Sequence, residues 1–295
     1  MIRGAFYMLK KILISSDLSD ASSALLTCAD DWKSIGVESA ILTHVLYSPH
    51  PGGMNTTFVK DTKTISKDLD AVKKVMPALE KQKAVLEEAG IKVDIEVAQG
   101  FPARAINDLA EAHDVSAIVT GSHGKGIIKR ATIGSVSSEL IHLTRKPVFL
   151  VRSKLNKNCE GVLPCSNLFN HVLYLTDFSE VAEKSLDYLE QIVKYSRCKV
   201  DILHIISSME VPGKVLSDLE AIRDRLVAAG SRMVDFECKK GKPESVAIDH
   251  INEKKEFTLV VMGTQGKSFT EELLVGSLSL HLSRYSPIPV LLVQK

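Results

Sequence analysis

The feature that most constrains this chain is a long glycine pattern that occurs twice. Gly121-Ser-His-Gly124 is followed nine residues later by Gly134-Ser135, and Gly263-Thr-Gln-Gly266 is followed nine residues later by Gly276-Ser277. Each copy trails a short apolar run (117–119; 259–262) and leads into a helical apolar pattern and then a strand introduced by proline, at Pro147 and Pro289. The order in both halves is therefore strand, glycine loop, helix, strand. A glycine loop that opens onto a helix start presents unpaired backbone N–H groups and the positive end of the helix dipole, so a phosphate is its natural ligand. Ser135 and Ser277 stand where they can cap the helix or contact a phosphate oxygen.

A chain of 295 residues has room for two domains of ordinary size, and the repeat makes two the preferred count. A net charge of +1 provides no global field for nucleic acid or an acidic membrane, which favours a small molecule or a protein as partner. No apolar run is long enough to span a bilayer and residues 1–9 are too short for a secretory signal, so the expected compartment is the cytoplasm. Five cysteines, odd in number and without C-x-x-C, are expected as reduced thiols rather than disulfides or zinc ligands.

Residues 11–14 read as a strand, and Ser19 as the cap of a helix with Ala21, Leu25, Cys28, Trp32 and Ile35 on one face. A second strand (40–46) and a Pro/Gly-rich loop precede a helical pattern over about 64–89, which Pro77 should kink or divide. A strand at 91–97, a helix opened by Gly100-Phe101-Pro102, and the motif strand, helix and Pro-led strand complete the half. Five strands alternating with four helices imply a doubly wound parallel α/β sheet. The expected domains are 1–153 and 169–295, joined by a polar linker at 154–168. The offset between halves falls from 160 residues at Asp17/Asp177 to 142 at Gly121/Gly263, placing about eighteen extra residues in the first half, mainly in the loop over 47–64 and the helix after it.

With this motif present twice, and with Ser16-Asp17-Leu18-Ser19 and Thr176-Asp177-Phe178-Ser179 ending the first strand of each half, the chain resembles a tandem member of the universal stress protein family. The resemblance implies two Rossmann-like domains of the adenine-nucleotide α-hydrolase type. It also implies an adenine-nucleotide site at the carboxyl ends of the first, second and fourth strands of each, where open α/β sheets bind ligands. Carried over, it puts Asp17 at the adenine or ribose end, Val45 as an adenine wall, Gly121 and Gly124 beside ribose and phosphates, and Gly134, Ser135 and Val136 at the phosphates. The second set is Asp177, Ile205, Gly263, Gly266, Gly276, Ser277 and Leu278. ATP or AMP is the implied ligand, with Mg²⁺ accompanying ATP. The family's edge pairing through the last strand implies an internal pseudo-dimer through 148–151 and 290–293, with homodimerisation and an unidentified protein as further partners.

Other readings of the same residues stay open. Asp17 and Asp177 also suit plain turn chemistry, each two residues before a capping serine. His123 is matched by Gln265, which cannot take a proton, and His44 and His204 read better as satisfied strand histidines than as metal ligands. Lys125, Lys129 and Arg130 in the first loop against Lys267, Glu271 and Glu272 in the second suggest that the first site tolerates ATP while the second prefers AMP or ADP, or binds weakly; the alternative is that these side chains point to solvent and are screened. A slow Mg-dependent ATPase and a pure interaction scaffold are the competing functions. No Walker sequence is present, and residues 15–19 lack the glycines of an adenylating S-G-G-x-D-S loop.

Overall fold

The computed structural model describes residues 9–48, 57–59, 69–122, 133–152, 154–155, 162–163, 167–206, 212–266 and 275–295. It divides into two compact units, one of Lys10–Lys33 and Val37–Ser166, the other of Asn167–Lys295 with Met1–Leu9 and Ser34–Gly36.

In the first unit, β1 (Lys11–Ser15), β2 (Ser39–Tyr47), β4 (Lys92–Gly100), β5 (Ala117–Gly121) and β6 (Val148–Val151) are parallel, in the order β6-β5-β1-β2-β4. A further strand, β3 (Thr57–Val59), pairs antiparallel with β4 through Thr57↔Gln99, Phe58↔Ala98 and Val59↔Val97. It lies in the insertion that the sequence marks as a loop. Helices α1 (Asp20–Leu26), α2 (Ala29–Ser34), α3 (Leu69–Glu88), α4 (Pro102–Ala112) and α5 (Ser135–Leu143) flank the sheet. β7 (Lys154–Leu155) and β8 (Val162–Leu163) form a small antiparallel ribbon. The core is aliphatic, with Leu13, Ile41, Ile106, Leu109, Ile118 and Leu140 nearly inaccessible, as expected for parallel strands covered on both faces.

Three expectations need correction. The single helix expected after Ser19 is two, interrupted at Thr27-Cys28, because the apolar spacing that runs through Leu25, Cys28 and Trp32 is kept by two helical pieces facing the same core. Pro77 does not divide the helix, since α3 runs through it as one element; the proline costs one backbone hydrogen bond, and the burial of Val72, Leu79 and Leu86 holds the helix on either side. Finally, Cys28 is in a disulfide, with its partner outside the described residues, whereas Cys198 and Cys238 are in no disulfide.

The second unit repeats the plan without an added strand among the described residues. β9 (His171–Thr176), β10 (Lys199–Ile206), β11 (Met233–Lys240), β12 (Leu259–Gly263) and β13 (Val290–Val293) are all parallel, in the order β11-β10-β9-β12-β13. They alternate with α6 (Glu180–Ser196), α7 (Pro212–Ala229), α8 (Pro243–Lys254) and α9 (Ser277–Tyr285). In each unit the first and fourth strands are neighbours, β1 beside β5 and β9 beside β12, so connections leave the sheet in opposite directions and a crevice opens at the carboxyl ends. No helix among the described residues is long and apolar enough to cross a membrane.

Candidate functional site

The first strand of each unit ends in the same turn. Leu18 and Phe178 take left-handed conformations, φ 60° and 58°. The strain of a non-glycine residue there is offset by local hydrogen bonds: the Ser19 and Ser179 amides donate to Asp17 Oδ1 (3.1 Å) and Asp177 Oδ1 (3.0 Å). The serine hydroxyls then cap the next helix, accepting from the amides of Ser22 and Ala182, both at 3.2 Å. In the first unit the hydroxyls of Ser19 (2.6 Å) and Ser22 also donate to Asp17 Oδ1. Both aspartates thus build the turn and, at the same time, line the crevice.

The glycine motif closes in the same way in both copies. The Gly134 amide donates to the Ser122 carbonyl (2.8 Å) and the Gly276 amide to the Thr264 carbonyl (2.7 Å), so the two ends of each loop meet. Gly134 and Gly276 are the N-caps of α5 and α9; a glycine supplies no side-chain acceptor, so the first-turn amides face the crevice as donors. The glycines also permit close backbone packing. A Cβ on Gly263 would lie 2.9 Å from the Val181 carbonyl carbon, and one on Gly266 would lie 2.7 Å from Asp177 Oδ2.

These elements enclose a cavity of about 280 Å³ in the first unit and one of about 220 Å³ in the second, near the lower end of the range for small-molecule pockets. Asp17, Val45, Gly121, Gly134, Ser135 and Val136 all line the first; Gly124, like His123 and the charged residues of both loops, lies outside the described residues. Asp177, Ile205, Gly263, Gly266, Gly276, Ser277 and Leu278 all line the second. Val45 and Val136 are half-buried and rest on the aliphatic core, which fixes their positions.

Two further pairs belong to the same framework. Ser137 and Ser279, one helical step beyond the named motif residues, are buried and tie helix to strand: Ser137 Oγ donates to the Gly121 carbonyl (2.6 Å), Ser279 Oγ to those of Gly263 (3.2 Å) and Thr264 (3.0 Å). The signal was available, since Gly-Ser-Val-Ser and Gly-Ser-Leu-Ser share the second serine. His44 Nδ1 and His204 Nδ1 each lie 2.8 Å from a strand carbonyl, of Ser16 and Thr176, which locks the second strand to the first. One group distinguishes the copies: the Glu244 carboxylate, in the first turn of α8, accepts a hydrogen bond from the Ser277 hydroxyl, and this bond holds its pKa below the usual range. Its counterpart after the matching proline, Ala103, is buried and apolar.

The second unit also holds a charge cluster at the opposite, amino-terminal end of its strands. Lys254 Nζ bridges Asp201 Oδ2 (2.6 Å) and Glu237 Oε1 (2.7 Å), and His171 Nε2 lies 2.8 Å from Asp201 Oδ1. Asp201 is buried, which disfavours its charge, yet the bonds from His171 and Lys254 outweigh that and hold its pKa below the usual value.

Fold and site together define a tandem α/β protein whose two domains each keep a ligand crevice at the switch point of a doubly wound sheet. A model of the universal stress protein family matches residues 8–152 and again 168–294, and the chain belongs to that family. Among its relatives, the universal stress protein MJ0577 of Methanocaldococcus jannaschii is 31% identical over 160 residues, covering 50% of this chain and 97% of the relative. A universal stress protein of Mycolicibacterium smegmatis is 26% identical over 219 residues, 70% of this chain and 71% of its own. The crystal structure of a universal stress protein from Archaeoglobus fulgidus superposes with a TM-score of 0.73 at 26% identity, covering 96% of this chain and 98% of that one.

Proposed function

We propose that the chain is an adenine-nucleotide-binding protein of the stress response, in which occupancy of the two crevices biases its interaction with a protein partner in the cytoplasm. The observation that carries this reading is the duplication of the crevice. In both domains an Asx-turn aspartate, a half-buried aliphatic residue late in the second strand (Val45, Ile205) and an uncapped helix start converge on one cavity. Each part has a counterpart in a nucleotide. The aliphatic wall suits the flat face of a base, the aspartate suits ribose hydroxyls or the base edge, and the amide donors at the start of α5 or α9 suit a phosphate. ATP would bring Mg²⁺ with its phosphates. The test is mass spectrometry of small molecules released from the purified protein by denaturation, with calorimetric titration of the stripped protein. An adenine nucleotide in the released fraction and saturable binding heat are expected; no nucleotide and no heat with ATP or AMP would overturn the reading.

A further inference from the structure

Strand register makes the two domains comparable residue by residue, and at two core positions their chemistry differs. Leu13 pairs with Ile41 in the first domain and Leu173 with Asp201 in the second; Thr43 pairs with Glu96 and Leu203 with Glu237. Seven residues beyond the proline that opens the matching helix, α4 carries Leu109 and α8 carries His250. Ile41 and Leu109 belong to the aliphatic core, each 1% exposed. Their counterparts Asp201 and His250 are an acid and an imidazole, 8% and 1% exposed. The Glu96–His113 pair (2.7 Å) stands where Glu237 and Lys254 stand in the second domain, so Asp201 and His250 are what that domain adds. The first domain shows that the fold is served by aliphatic side chains there, and buried charge contributes no more stability than well-packed apolar groups.

The added groups converge. A carboxylate oxygen of Asp201, one of Glu237 and a ring nitrogen of His250 lie within 4.8 Å of one another. The two acids already share a cation, since Lys254 Nζ stands 2.6 Å from Asp201 Oδ2 and 2.7 Å from Glu237 Oε1. His171 Nε2, 2.8 Å from the other Asp201 oxygen, aims Oδ2 at that cation, as outer groups do around bound metals. His250 Nδ1 is buried and has no hydrogen-bond partner among the described residues, a deficit that a protein interior rarely tolerates without a purpose. Lys254 and Glu237 are the open side of the cluster, their side chains 30% and 41% exposed, which gives an ion an entry and the ammonium a way out.

We propose that Asp201, Glu237 and His250 form a site for one divalent metal ion, Zn²⁺ by its donor set, with the Lys254 ammonium as the stand-in that the ion displaces. One imidazole nitrogen and two carboxylate oxygens suit zinc with water in the fourth place, whereas Mg²⁺ and Ca²⁺ favour oxygen ligands. Zinc bonds of about 2.0–2.2 Å set tetrahedral ligands roughly 3.3–3.5 Å apart, so the donors draw in by no more than about 1.5 Å from their 4.8 Å limit. A doubly charged ion then replaces one ammonium and Lys254 turns to solvent. The site lies at the other end of the strands from the crevice, and it stands whether or not the crevice binds a nucleotide.

The full chain, stripped of nucleotide and treated with a chelator, tests the site by calorimetric titration with Zn²⁺ and with Mg²⁺, and by absorption with Co²⁺ as the coloured substitute. One Zn²⁺ per chain and no heat with Mg²⁺ are expected. The Co²⁺ spectrum should lack the intense near-ultraviolet band of thiolate ligation, which separates this site from the exposed Cys238. His250→Leu, which copies Leu109, should weaken Zn²⁺ by at least about tenfold. Lys254→Met, which removes the internal competitor, should tighten it by at least about tenfold. Urea midpoints in chelator establish that both variants are folded, and the gain in Lys254→Met together with the Co²⁺ spectrum decides the matter if His250→Leu is not. No Zn²⁺ binding by the wild type, binding confined to Lys254→Met, a thiolate band, or an affinity unchanged in folded His250→Leu would each overturn the inference.

Discussion

Replacing Gly263 by alanine tests why the motif needs glycine at the end of β12. The added Cβ would lie 2.9 Å from the Val181 carbonyl carbon, 2.9 Å from Val181 Cγ1 and 3.1 Å from the Ala182 amide nitrogen, while comfortable carbon contacts are about 3.5–4.0 Å. Two of the three neighbours are backbone, so no rotamer change relieves the contact, and the first turn of α6 must move by roughly half an ångström or more. Overpacking of this kind costs about 1–3 kcal/mol. For a domain of this size each kcal/mol lowers Tm by roughly 3–6 °C, giving a fall of about 3–18 °C. The single tryptophan, Trp32, lies in the first unit. Its fluorescence therefore follows that unit, while far-UV circular dichroism follows both. Urea and thermal melts of Gly263→Ala should show a destabilised dichroism transition with a smaller change in the tryptophan signal. An alanine variant that melts with the wild type in both signals would refute the packing argument and return Gly263 to a purely ligand-facing role.

Lys254→Met should cost about 1–2 kcal/mol at neutral pH, the buried-pair penalty reduced because Lys254 and Glu237 are partly exposed. Because the folded pKa of Asp201 is depressed, its stabilisation is present above the unfolded value near 4 and is lost as pH falls through the folded one. Urea midpoints from pH 7 to 2.5 should therefore fall less steeply in Lys254→Met, and identical slopes would refute the assignment. The disulfide at Cys28 leaves three thiols of the five cysteines, so alkylation of unreduced, denatured protein should add three labels by mass, and five labels would contradict it. Under native conditions exposed Cys238 should react well before Cys198, which is buried and whose thiol burial pushes upward. Ser137→Ala removes the bond to the half-buried Gly121 carbonyl at a cost of about 1 kcal/mol in urea unfolding, and a neutral result would discount the tie between helix and strand.

Much of the site is legible because it is written twice. The spacing that runs from Gly121 to Gly134 recurs from Gly263 to Gly276, and the structure shows what the repeat preserves: an amide-to-carbonyl closure between loop ends and a serine one step into the helix. Contacts between elements far apart in sequence were less accessible. Nothing near Glu244 announces that its carboxylate reaches Ser277, since that depends on how the starts of α8 and α9 converge. The break at Thr27-Cys28 is hidden because Leu25, Cys28 and Trp32 keep helical spacing across it. Pro77 looks like an interruption, yet the apolar face of α3 is buried on both sides of it and tertiary packing prevails over local preference. β3 is hidden because three residues amid prolines and glycines carry no usable period.

That short antiparallel strand works as an end stop. A parallel sheet that finishes on β4 would offer a template on which a strand from another molecule could grow, and β3 occupies it beside Val97, Ala98 and Gln99. The sister domain finishes on β11, which no strand among the described residues covers, and there Asp235, Glu237, Lys239 and Lys240 supply charge. After duplication, the two copies thus guard the same vulnerable border by different means, so trimming the insertion over 49–68 should cost the protein its colloidal good behaviour before it costs the first domain its fold.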